Sequence, residues 1–132
     1  MQNNPAGKTG LGLDSNLAGL LCYILTPCCL IGVILGLILF FTEKDNRFAR
    51  FHALQSLLVA GVFIALGMVF TVLGRLLLAA DEGIMFFGLL GVRLLIFLVF
   101  LAIWIYAGIQ AYQNKWTKLP ILGDLAEKWS NS

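Results

Sequence analysis

The stretch that decides the fold reads LAGLLCYILTPCCLIGVILGLILFF and occupies residues 17–41. It carries no charge, and its 25 residues exceed the roughly 20 apolar residues that a helix needs to cross a bilayer. Pro27 lies near its middle, where it removes a helical hydrogen bond and clashes with the preceding turn. We therefore expect one membrane span that is kinked or broken at Pro27. A re-entrant segment, which enters and leaves the membrane on the same side, is the alternative.

The composition of the whole chain supports a membrane protein. Of its 132 residues, 60% are hydrophobic and 12% are charged, whereas soluble domains carry about 25% charged residues. The net charge is only +2, and no basic patch with interleaved aromatic residues suggests binding to nucleic acid. The sequence predicts an all-α integral membrane bundle of one domain, with the lipid bilayer as its first partner.

The distribution of charges divides the chain into segments. A flexible tail is expected over 1–16, followed by a single membrane domain over 17–129. Two further apolar runs predict spans, and the sequence Asp81-Glu82-Gly83 predicts the polar tip of the hairpin between them. The predicted parts of the domain are spans at about 17–41, 54–75 and 93–112, an interfacial amphipathic helix at about 45–53, and an amphipathic C-terminal tail at 115–129.

Lysine and arginine counts predict the orientation. The segment 42–52 and the C-terminal tail carry three such residues each, against Lys8, Arg75 and Arg93 elsewhere. Since cytoplasmic loops are enriched in these residues, the C-terminus is expected in the cytoplasm of a bacterial cell. A fully spanning first segment places the N-terminus outside, whereas a re-entrant one places both termini in the cytoplasm.

Small residues at four-residue spacing indicate close helix packing. The pairs are Gly32 with Gly36 and Gly61 with Ala65. We interpret them as contacts among the helices of one chain, with an interface between copies as the alternative.

Two arginines interrupt the apolar runs. Arg75 and Arg93 each fall about one membrane thickness from the predicted cytoplasmic side. We expect both to extend to the outer interface, where Asp81 and Glu82 are candidate partners.

No residue pattern predicts catalysis or a metal site. Cys22, Cys28 and Cys29 share one apolar run and are interpreted as small buried residues. His52 is the only histidine, and one histidine without nearby ligands does not make a metal site. We expect a protein that is not an enzyme and that binds no cofactor, metal or nucleic acid.

Three stretches resemble one known family. They begin at Ser15-Asn16-Leu17-Ala18, at Glu43-Lys44 and at Lys118-Leu119-Pro120. The middle stretch continues as RFARFHALQS over 47–56, and the last as ILGDLAEK over 121–128. They are similar to small bacterial membrane proteins that resemble the Tic-type component of the chloroplast inner-envelope protein import machinery. The resemblance implies a pore or its scaffold, although its plant members have four spans against the three predicted here. It also implies a shared interaction or structural motif, consisting of Arg47, Arg50, Phe51, His52 and Gln55.

The sequence thus predicts a non-catalytic interaction or scaffold subunit of a membrane complex. Its partners would be other membrane proteins or a second copy, docked through 43–55 and 115–129. The alternative is a pore or pore subunit for a protein, a peptide or a small solute.

Overall fold

The chain is all-helical in the part that the computed structural model describes, residues 7–131 without the side chains of Cys28 and Cys29. Within it the only strand-like pairing is a single bridge between Lys8 and Asp14. The predicted helical membrane bundle is confirmed. Its helices are α1 (Ser15–Cys29), α2 (Ile31–Thr42), α3 (Arg47–Ala79), α4 (Gly83–Tyr112) and α5 (Leu122–Ser130).

Two of the described helices are long and apolar enough to cross a membrane. With 33 and 30 residues, α3 and α4 measure about 49 and 45 Å, more than the roughly 30 Å of a hydrocarbon core. They form an antiparallel hairpin. Its connection lies at the predicted tip, where Asp81 adopts a φ of 61° between the end of α3 at Ala79 and the start of α4 at Gly83.

The first apolar run differs from the single span, kinked or broken at Pro27, that was expected for it. Pro27 lies inside α1, and the helix breaks three residues later at Leu30, whose φ of 60° is left-handed. The resulting helices have 15 and 12 residues, which gives lengths of about 22 and 18 Å, too short to span a bilayer.

The helices α1 and α2 fold back on each other. A Cβ added to Gly32 would lie 2.5 Å from the Thr26 backbone nitrogen and 2.6 Å from the Cys22 carbonyl oxygen. Farther from the turn, Leu39 packs in one buried cluster with Ala18. Because the left-handed residue reverses the chain, α1 and α2 form a short hairpin.

The segment before α1 is folded where the structure describes it. Residues 1–6 of the predicted flexible tail lie outside the described part. In 7–14, the Thr9 N–H donates to the Leu13 carbonyl at 2.8 Å, and the Gly10 N–H donates to the side chain of Glu43. This loop therefore packs on the turn between α2 and α3, which corrects the expected tail.

The predicted interfacial helix is the beginning of α3. Asn46 caps α3 by accepting a hydrogen bond from the Ala49 N–H at 3.2 Å, and the helix then continues without a break. No glycine or proline separates the amphipathic stretch from the apolar one, so one helix serves both.

Polar contacts bring the helix ends together at one end of the bundle, which we call the capped end. The Asn16 side chain donates to the Tyr112 carbonyl at 3.0 Å, and the Asn46 side chain donates to the Ser15 hydroxyl. The start of α1, the start of α3 and the end of α4 therefore meet there, and α5 packs on α3. Seven of the nine lysine and arginine residues belong to the segments of this end, and the other two are Arg75 and Arg93.

Candidate functional site

The predicted motif on α3 forms a buried site at the capped end. His52 is fully buried, as is Phe51, and Gln55 is 1% exposed. Arg47 and Arg50 are half-buried at the edge. A motif expected to face partners therefore faces the interior of the protein.

Both polar atoms of the Gln55 side-chain amide form hydrogen bonds, with the C-terminal segment and with α1. Its side-chain nitrogen donates to the Thr117 carbonyl at 3.0 Å and to the Tyr23 hydroxyl at 2.8 Å. Its oxygen accepts the Leu119 N–H at 3.0 Å. A carbonyl only accepts and a backbone N–H only donates, so these contacts fix the orientation of the amide.

His52 completes a directed chain of hydrogen bonds. Its Nε2 lies 3.0 Å from the Lys115 carbonyl, and its Nδ1 lies 3.2 Å from the Tyr23 hydroxyl. Because a carbonyl cannot donate, Nε2 carries the proton and Nδ1 accepts from Tyr23. The chain therefore runs from Gln55 through Tyr23 and His52 to Lys115.

Aromatic packing holds the same segment in place. The Trp116 ring lies 5.3 Å from the rings of both Phe48 and Phe51, measured between centroids. His52 in turn packs edge-on to Phe48 at 4.5 Å. We call residues 115–119 the strap. The socket that holds them consists of Tyr23, Phe48, Phe51, His52 and Gln55.

The strap leads into α5, which covers α3. Arg50 donates to the Ser130 carbonyl at 3.3 Å, and its guanidinium lies 4.9 Å from the centre of the Phe40 ring. Ala126 on the inner face of α5 packs in a buried cluster with Phe51. The predicted amphipathic tail is thus a strap, which follows the end of α4 at Tyr112, and a docked helix, which begins just after Pro120.

The outer face of α5 is exposed. It presents Asp124, Lys128 and Trp129, and Ile121 just before the helix is 76% exposed. Lys118 pairs with Glu127 and lies 3.8 Å from the Asp124 carboxylate. The hydrogen bond to Glu127 raises the pKa of Lys118 above its ordinary value.

Sequence reasoning did not identify Tyr23 or the strap backbone as part of this site. Tyr23 is the only tyrosine in the first apolar run, and it belongs to the first stretch that carries the family resemblance. This position in the first family-like stretch could have marked Tyr23 as a site residue. No signal marked the strap, because it contributes backbone groups, which every sequence possesses.

The two arginines lie in the half of the α3–α4 hairpin that is farther from the capped end, away from the socket. Arg75 and Arg93 are exposed and line one groove between α3 and α4. Arg93 donates to the Thr71 hydroxyl at 3.4 Å rather than to the expected Asp81 or Glu82.

The predicted partners of these arginines, Asp81 and Glu82, lie at the tip of the α3–α4 hairpin. Glu82 is exposed at the start of α4. It cannot continue the face of α3 that carries Arg75, because that helix ends at Ala79.

The small-residue pairs differ in their surroundings. Gly32 and Gly36 are buried, and a Cβ on Gly36 would lie 3.1 Å from the Leu57 side chain. Gly61 and Ala65 are exposed, and a Cβ on Gly61 would meet nothing within 4 Å. We expected both pairs to pack against helices of the same chain, and only Gly32 with Gly36 does so.

The cysteines and acidic residues show no arrangement for a metal among the described residues. Cys22 is buried as a free thiol. The side chains of Cys28 and Cys29 lie outside the described part. No group of three or more histidine, cysteine, aspartate or glutamate side chains converges within that part.

Comparisons with known proteins place the chain among membrane proteins. Residues 14–126 match the profile of the magnetosome magnetite crystal formation protein family. The chain is 36% identical to a UPF0132 membrane protein of Methanocaldococcus jannaschii over 94% of its own length and 96% of the relative's. It is 32% identical to one of Archaeoglobus fulgidus over 88% and 95% of the two chains. No solved structure matches. These relatives are archaeal, so the expected restriction to bacteria does not hold for the family.

Proposed function

The chain belongs to the magnetosome magnetite crystal formation protein family, and from this premise we propose that it is a non-catalytic scaffold subunit of a membrane complex. The observation that carries the proposal is the helix α5 held on the capped end by the strap. The buried polar side chains of the motif, His52 and Gln55, hold the strap that leads into this helix. A rigid, exposed helix at a membrane surface suits the docking of a partner.

The docking surface of this proposal is the outer face of α5. The sequence favoured docking through Arg50, His52 and Gln55, but His52 and Gln55 are buried beneath the strap and Arg50 is half-buried under α5. Lys128 and Trp129 are exposed instead. In this proposal the motif acts indirectly, because it positions the helix that a partner contacts.

We place the capped end in the cytoplasm. With α1 and α2 as a re-entrant hairpin, Lys8 joins the basic residues of 42–52 and of the C-terminal segment on one side. Seven of nine lysine and arginine residues then lie on that side, a stronger asymmetry than the three-span arrangement gives. The proposed protein is a multi-pass protein of the cell membrane with two full spans.

The family description names magnetite crystal formation, whereas the archaeal relatives are described only as membrane proteins. A membrane scaffold is a role that both descriptions accommodate. We therefore propose the scaffold as the common function, and crystal formation as one process in which such a scaffold serves.

The pore alternative, with its resemblance to the chloroplast import component, receives no specific support. In the described part only α3 and α4 are long enough to span, and two helices cannot enclose a pore within one chain. A pore would need several copies.

In-cell photo-crosslinking tests the scaffold. A photoreactive residue replaces Lys128 on α5. A matched variant carries it at Lys44, which is exposed at the same end but outside α5. A third carries it at Phe51, which is buried against Trp116.

We expect a discrete protein adduct from position 128 that is absent from position 44, and only an internal crosslink from position 51. Identical adducts from 44 and 128, or lipid adducts alone from both, would refute docking through α5.

A further inference from the structure

The outer half of the α3–α4 hairpin contains a groove with both of its arginines. The groove has a volume of about 800 Å³, and its walls are mostly apolar side chains from Phe63 to Arg75 and from Leu90 to Phe97. The polar side chains that line the groove are those of Thr71, Arg75 and Arg93. Arg93 donates a hydrogen bond to the Thr71 hydroxyl.

The groove is open because the α1–α2 hairpin stops short of it. Pro27 and Leu30, at the turn of that hairpin, line a smaller cavity with Phe63 and Trp104. Beyond this level α3 and α4 run without a third helix beside them. The outer half of the α3–α4 hairpin is therefore covered by other components of the membrane rather than by this chain.

Aromatic and glycine contacts bound the groove along its length. At the inner end, the Phe63 ring lies 6.1 Å from Phe97 and 5.2 Å from Phe100. At the outer end, Gly74 lets the helices approach, because a Cβ there would lie 3.3 Å from the Phe86 ring. The distance along α3 from Phe63 to Arg75 is about 18 Å, which accommodates much of an acyl chain.

Helix length places Arg75 about one hydrocarbon thickness from the capped end. From His52 at the capped end to Arg75 the helix rises about 35 Å, slightly more than the hydrocarbon core of a bilayer. A guanidinium forms paired, charge-assisted hydrogen bonds with phosphate oxygens. Charge at the headgroup level, with an apolar channel leading inward, matches the shape of a phospholipid.

We propose that this groove binds one anionic phospholipid, with its phosphate between Arg75 and Arg93 and an acyl chain against Phe63 and Phe97. The two cationic groups on facing helices favour a headgroup of net negative charge over a zwitterionic one. The Thr71 hydroxyl positions Arg93 toward α3. This site is independent of the scaffold function.

Lipid retention by the full chain provides the test. The protein in mild detergent is incubated with equal amounts of phosphatidylglycerol and phosphatidylcholine that have the same acyl chains. Retained lipid is then counted by native mass spectrometry. We expect about tenfold more phosphatidylglycerol retained, the ratio that corresponds to about 1.4 kcal/mol.

Two pairs of variants separate charge from shape. Arg75→Gln with Arg93→Gln should abolish the preference, whereas Lys44→Gln at the capped end should keep it. Gly67→Leu fills the groove without changing a charge, since Gly67 lines it and has nothing within 4 Å of an added Cβ. It should reduce retention, whereas Gly61→Leu, outside the groove, should not.

Three outcomes would overturn the proposal. Equal retention of both lipids by the wild type indicates ordinary boundary lipid. Displacement of the lipid by inorganic phosphate alone indicates a site for a soluble anion. Unchanged retention in Gly67→Leu, with its helical content intact, indicates that the groove is not occupied by an acyl chain.

Discussion

The side-chain oxygen of Gln55 accepts the backbone N–H of Leu119 at 3.0 Å, across 64 positions of the chain. The same amide also donates two hydrogen bonds, to Thr117 and to Tyr23. Together these contacts join α3, near its start, to the strap that follows α4. The capped end is therefore held by polar contacts of long sequence separation, and each of them can be tested.

Gln55→Ala should destabilise the protein and release the strap. The substitution leaves the Leu119 N–H and the Tyr23 hydroxyl short of a partner, and such a loss costs roughly 1–3 kcal/mol. Thermal unfolding in detergent should shift down, and trypsin should cleave faster at Lys115 and Lys118. Gln113→Ala, at an exposed position, is the control. Equal cleavage in all three proteins would show that Gln55 does not hold the strap.

Tyr23→Phe should lower stability because the hydroxyl links Gln55 to His52. We expect a loss of roughly 1–3 kcal/mol, and non-additivity with Gln55→Leu of at least about 0.5 kcal/mol. Denaturant unfolding of the two single variants and the double variant measures this coupling. Tyr106→Phe, at a tyrosine that is 51% exposed, should change little. Strict additivity would contradict the continuous chain of hydrogen bonds.

Gly32→Ala should open the α1–α2 hairpin, because the new methyl group would overlap the backbone of α1 at Thr26 and Cys22. In a background with Cys28→Ser and Cys29→Ser, labelling of the buried Cys22 by maleimide should accelerate. Gly61→Ala meets open space and should stabilise the helix by up to about 1 kcal/mol. If both alanine variants label Cys22 at the wild-type rate, the close approach of the two helices is wrong.

Single cysteines should reveal two termini on one side. In a variant without native cysteines, Leu11→Cys and Lys128→Cys should react with an impermeant maleimide only after the cells are permeabilised. Glu82→Cys, at the hairpin tip, should react in intact cells. Labelling of Leu11→Cys together with Glu82→Cys would restore the three-span arrangement.

Glu127→Gln should have a small effect that depends on pH. The Lys118 pair is exposed, and such pairs contribute little. Because the pKa of Lys118 is raised in the folded state, its stabilisation is present below the ordinary lysine pKa and is lost as the pH rises through the raised value. The difference in unfolding temperature between wild type and variant should therefore shrink at alkaline pH. A difference that grows there would contradict the pairing.

Some features of the fold could be predicted because they depend on local sequence. The tip at Asp81-Glu82-Gly83 interrupts two apolar runs, and the helices end and begin within two residues of it. Asn46 directly precedes α3 and caps it, as asparagine commonly does at a helix start.

The first segment shows where local patterns fail. Hydropathy describes 17–41 as one uncharged run, and Pro27 is its obvious breaker. The break lies instead at Leu30, a leucine with a left-handed backbone, and no residue preference predicts that conformation. Packing of Gly32 on α1 selects the hairpin, and such a contact is a tertiary property.

The motif on α3 was expected to be an interaction or structural site, and its buried members Phe51, His52 and Gln55 face the interior of the protein. The sequence of 47–55 combines arginine, phenylalanine, histidine and glutamine, which suggested an exposed docking site. Its partner is the backbone of residues 115–119, and backbone groups leave no pattern in a sequence. The groove between Arg75 and Arg93 was missed for a related reason, since it exists only because α1 and α2 are short.

The strap also sets the order in which the protein can be completed during synthesis. The ribosome makes residues 47–55 at least sixty residues before 115–119, so the amide of Gln55 and the imidazole of His52 must wait, at the membrane surface, for their final partners. Until then the nascent chain presents an aromatic and polar cleft that the finished protein conceals. A chain that stalls before the strap keeps this cleft open.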